Sequence, residues 1–75
     1  MAIAKIYANL IVKGKYDYTE VMNREALAEQ TELKIQITVI LINDKKFFTL
    51  EDVLANEGVA QEIKDGVIAA LEEAA

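Results

Sequence analysis

The chain predicts a small α+β fold. Three observations point there: a long period-two stretch, a polar tetrad between two apolar runs, and capping signals ahead of helix-forming segments. The expected architecture is a three-stranded sheet with a hairpin over residues 33–50, packed by helices of which the longest is C-terminal. A mostly α-helical fold is the alternative. One domain spans residues 1–75, since 75 residues leave room for one core.

Residues 4–13 alternate. Ile6, Ala8, Leu10 and Val12 fall on one side and Lys5, Tyr7, Asn9 and Ile11 on the other, which reads as a strand closed by Lys13-Gly-Lys15. Ile3, Tyr7, Leu10 and Ile11 also make a helical stripe with Gly14 as its stop, and this carries the helical alternative. Asp17-Tyr-Thr-Glu20 has the form of a capping box, and it introduces a helix over residues 19–30.

Residues 31–42 alternate most plainly. Leu33, Ile35, Ile37, Val39 and Leu41 oppose Lys34, Gln36 and Thr38, a strand pattern rich in β-branched side chains. Its end, Val39-Ile-Leu-Ile42, is apolar on both sides and needs cover on both faces. Asn43-Asp-Lys-Lys46 suits a turn, and residues 46–49 return as the second arm of the hairpin. Thr49-Leu-Glu-Asp52 opens a helix over residues 50–57, with Thr49 as its cap. Gly58 separates it from a last helix over residues 59–74, striped by Ile63, Val67 and Leu71.

Composition narrows the function. The chain has no cysteine, histidine, serine, tryptophan or proline. Disulfides, thiolate chemistry, the usual zinc ligand and the usual general base are therefore missing. Its three glycines form no phosphate loop, and no Asp-x-Asp-x-Asp-Gly run suggests calcium. Glu51/Asp52 and Glu72/Glu73 are neighbours on helices and point apart, so neither makes a catalytic pair. The expectation is a protein that is not an enzyme, with no cofactor and no catalytic or metal site.

The net charge of −5 is uneven: residues 1–21 sum to +1 and residues 47–75 to −6. Such an acidic half repels phosphate, so direct nucleic-acid binding is disfavoured. One local cluster has the opposite character, with Tyr7, Tyr16 and Tyr18 beside Lys5, Lys13 and Lys15. It is read as strand packing with edge-protecting lysines. No apolar run reaches the roughly 18 residues of a membrane span, and the N-terminal stretch lacks the look of a signal peptide. The expected location is the cytosol of a host cell, or a virion assembled from it.

A core this small nets only about 3–5 kcal/mol. Ile11, Ile40 and Ile42 fall on nominally polar strand faces, and burying one such side chain is worth about 1.5–3 kcal/mol. They are the candidate contact residues for a protein partner or a second copy of the chain. Glu62, Asp65, Glu72 and Glu73 are the candidates under a different reading, in which an acidic helix docks on a basic site of a nucleic-acid-handling enzyme.

The opening Ala4-Lys-Ile-Tyr-Ala-Asn-Leu-Ile-Val-Lys-Gly-Lys15 resembles very short proteins of phages and prophages of Gram-positive bacteria, encoded near tail-fibre genes. Asp17, Tyr18, Glu20 and Val21 continue the likeness, with Met22 standing where that family has proline; Thr49-Leu-Glu-Asp-Val53 and Val67-Ile-Ala-Ala-Leu71 echo it more loosely. The strand-like residues 33–42 have no counterpart there. The resemblance implies a phage-type structural or accessory role and a largely helical fold, and it transfers no catalytic residue.

Overall fold

The computed structural model describes residues 3–74, and it overturns the α+β expectation. The described chain is all-α, with five helices, 72% helical residues and no strand. Helix α1 is Ile3–Val12, α2 is Tyr18–Met22, α3 is Thr31–Val39, α4 is Leu50–Ala55 and α5 is Gln61–Ala74. A single 3₁₀ turn, Glu25–Leu27, precedes α3, and α3 runs on into one π-helical turn, Ile40–Asp44.

The expected first strand is α1. Ala4, Ala8 and Ile11 recur at helical spacing and are all but inaccessible to solvent. The helix stops where the alternative reading put its stop. Gly14 takes φ +79°, its N–H donates to the carbonyl of Ile11, and that of Lys15 donates to Leu10. This is a Schellman closure, which needs a residue tolerant of the left-handed conformation.

Asp17 caps α2 by accepting from the Glu20 N–H at 3.1 Å, but the Glu20 side chain pairs with Arg24 instead of closing the box. The helix expected over residues 19–30 is correspondingly cut short. Asn23 bends the chain away, its side-chain amide donating to the carbonyls of Thr19 (2.9 Å) and Gly58 (2.6 Å). Asn56 adds a bond to the Thr19 hydroxyl at 2.9 Å, which ties α2 to the α4–α5 connection.

The expected central strand is the central helix. Ile37, Thr38 and Leu41 are fully buried and Lys34 is 9% exposed, which is the i, i+3, i+4, i+7 stripe of one helix face. Lys34 buries its stem only: no buried side-chain nitrogen or oxygen among the described residues lacks a partner, so its ammonium reaches water. The remaining apolar residues of the alternation go elsewhere. α3 packs between α1 and α5, and a helix covered on two sides carries apolar residues around most of its circumference. Ile35 meets α5 at Gly66, where a Cβ would stand 2.9 Å from Ile35 Cγ1 and nearer still to Cδ1, so the missing side chain sets the approach of the two helices.

The low helix propensity of these residues is outweighed by what their burial returns. A β-branched residue gives up about 0.5 kcal/mol of helix propensity relative to alanine. Full burial of an isoleucine or leucine returns about 1.5–3 kcal/mol, and Ile37 and Leu41 are both fully buried.

The expected hairpin turn is instead the end of this helix. Lys45 N–H donates to the Ile40 carbonyl at 2.9 Å, a widened i+5 turn, and Lys46 reverses the chain at φ 52°. Residues 46–49, expected to pair as a strand, form the crossing to α4. Within it Phe48 packs edge-on against Tyr18, with ring centroids 4.7 Å apart at 73°. Thr49 caps α4 as expected, and with Asp52 it closes a complete capping box, at 3.2 and 3.0 Å. In α5, Ile63 and Val67 face the core, where they meet Ile37, Leu41, Val21 and Met22.

Candidate interaction surface

Helix α1 is two-faced. Opposite Ala4, Ala8 and Ile11 lies a second apolar row, in which Ile3 is 51% and Ile6 47% exposed and Leu10 is half-buried. Exposed Lys13 follows one turn beyond Leu10. Ile3 and Ile6 thus keep about half of their surface in contact with water.

A second apolar feature lies between α3 and α5. It is an open groove of about 270 Å³ floored by Ile35, Val39, Ile40 and Ala70 and edged by Glu32 and Gln36. Exposed Glu73 stands one turn past Ala70 on α5. Val12 at the end of α1, Phe47 and Leu54 are further exposed apolar side chains.

The three isoleucines chosen from the sequence are placed differently from one another. Ile11 is 2% exposed and belongs to the core. Ile40 and Ile42 are half-buried against that core, and of the two only Ile40 lines the groove. Ile3 and Ile6 do not stand out in the sequence as a strand. The signal is present all the same: turned as a helix, residues 3–13 carry apolar rows on two opposite sides, which a strand reading merges.

The four acidic candidates do share a face. Glu62, Asp65, Glu72 and Glu73 are all exposed, on the side of α5 away from Val67. Asp65 accepts a hydrogen bond from the Gln61 side chain at 2.9 Å. The carboxylate of Asp52 is engaged by its own capping box.

The tyrosines serve the protein's own structure. Arg24 lies over Tyr16 (4.4 Å to the ring centroid) and Tyr7 (5.8 Å), and the two rings are 6.0 Å apart. Its guanidinium also forks onto Glu20, at 2.6 and 3.1 Å. That bond holds the Glu20 carboxyl below the usual range and raises the guanidinium above its own. Tyr18 is in the core, its hydroxyl 2.8 Å from Thr38, and burial pushes its phenol up.

No protein-family model, curated protein or solved structure matches this chain. Among the described residues no three of histidine, cysteine, aspartate and glutamate gather as a metal site would, and no helix is long and apolar enough to cross a membrane.

Proposed function

We propose that the protein is a non-enzymatic interaction module that works by protein–protein contact and associates with itself. The observation that carries this reading is the outward row of α1. Two isoleucines about half exposed on one helix face are unfavourable in water for a chain with so small a core. Covering them with a second chain adds apolar burial to a core that at this size nets only about 3–5 kcal/mol. The likeness of residues 4–21 to short phage proteins is consistent with a structural or accessory role of this kind. Sedimentation equilibrium over a series reaching high micromolar concentration tests it. Mass rising above 8.3 kDa with concentration supports self-association, and a constant 8.3 kDa overturns it.

A second reading is favoured by the carboxylates gathered on the outer side of α5. On that reading the helix offers Glu62, Asp65, Glu72 and Glu73 to a basic protein site. Binding of this type weakens steeply with salt, and reversing those four charges abolishes it.

A further inference from the structure

Among the described residues, the outward row of α1 and the α3–α5 groove are two exposed apolar features, and they differ in charge. Ile3, Ile6 and Leu10 sit at the i, i+3, i+7 spacing with which a helix anchors in a groove. The charged side chains on and just beyond that helix are Lys5, Lys13 and Lys15, with no acid before Asp17. The groove has no basic side chain among its lining residues; Glu32 edges it, and Glu73 stands one turn beyond Ala70. At about 270 Å³ it falls just short of the roughly 300–1,000 Å³ of small-molecule pockets, and it is an open trough suited to a row of side chains.

We infer that a second copy of this chain seats the outward row of its α1 in the groove between α3 and α5. The inference rests on the self-association proposed above and adds where the contact is made. Charge decides it against the simplest alternative. Pairing α1 with α1 sets lysines of both copies side by side with no acid on either helix. Seating α1 in the groove brings Lys13, one turn past Leu10, toward the acidic edge marked by Glu32 and Glu73. The contact joins unlike patches, so each chain has one row to give and one groove to fill, and association continues into a ring or an open chain.

Two variants and their mixture test this by sedimentation. Ile6→Glu spoils the row and leaves the groove intact, whereas Val39→Lys spoils the groove and leaves the row. Each alone is expected to associate about tenfold more weakly or worse, as when a central anchor is lost. Mixed in equal amounts, they are expected to pair, because one chain supplies the groove and the other the row. If Val39→Lys loses helical circular dichroism, Gln36→Lys, on the exposed edge of the same groove, replaces it. A groove variant that associates as the wild type does, while Ile6→Glu does not, overturns the assigned seat and leaves self-association standing. A mixture that stays monomeric overturns the seat as well. A wild type that never associates overturns both readings.

Discussion

Replacing Thr38 by valine removes one buried hydroxyl and little volume, and the surrounding hydrogen bonds fix the consequence. Thr38 is 0% exposed. Its single hydroxyl hydrogen is directed to the Lys34 carbonyl at 2.9 Å, so at 2.8 Å it is the Tyr18 hydroxyl that donates to Thr38. In Thr38→Val the Tyr18 hydroxyl loses its acceptor inside the core. An orphaned buried donor costs about 1–3 kcal/mol, so a loss of about 2 kcal/mol is expected. Tyr18→Phe leaves the Thr38 hydroxyl bonded to Lys34 and costs about 1 kcal/mol. In the double variant neither side retains an orphan. Its loss is expected at about 1 kcal/mol, where independent effects would sum to about 3 kcal/mol. Urea unfolding of the four proteins at low micromolar concentration measures the cycle. Single losses that add to within about 0.5 kcal/mol in the double variant refute the reasoning.

Three further outcomes rest on local geometry. Gly14→Ala places a Cβ in open space but at φ +79°, so its cost of about 1–2 kcal/mol is purely conformational; an unchanged urea midpoint contradicts the Schellman closure. Gly66→Val adds a branched side chain where even a Cβ meets Ile35, and an overpacking loss of about 1–3 kcal/mol is expected although valine is no worse a helix former than glycine; a midpoint that rises refutes the close α3–α5 approach. The Glu20 carboxyl is held low by its bond to Arg24, so the stability that it adds is present above the ordinary carboxylate range and is lost as pH falls through its lowered value. The stability difference between the wild type and Glu20→Gln is therefore expected near neutrality and should vanish on strong acidification, and a difference that persists there speaks against the pair as its source.

Local signals were legible where one residue type answers one backbone need. Thr49 caps α4, Asp17 caps α2, and Gly14 ends α1. The stripe of Ile63 and Val67 turns to the core as its 3.6 period requires. What misled was residues 33–42. Alternation marks a strand only when one face is wet, and α3 is flanked by α1 and α5, so Ile37 is buried in the core while Ile35 and Val39 are partly buried along the α3–α5 groove. Asn43-Asp-Lys-Lys46 does reverse the chain, but at the end of a helix, and that junction looks the same in sequence as a hairpin tip. The interaction surface suffered from the same error. Ile11 stands out on a strand and disappears inside a helix, whereas Ile3 and Ile6 do the reverse.

The central claim is that the outward row of α1 is covered by another chain, so folding and association are linked. The thermal midpoint measured across a wide range of protein concentration tests this most directly, since association with the folded form alone raises the midpoint by mass action. The account predicts a midpoint that climbs with concentration in the wild type and stays flat in an Ile3→Lys, Ile6→Lys double variant. A wild-type midpoint that is the same at every concentration would contradict it.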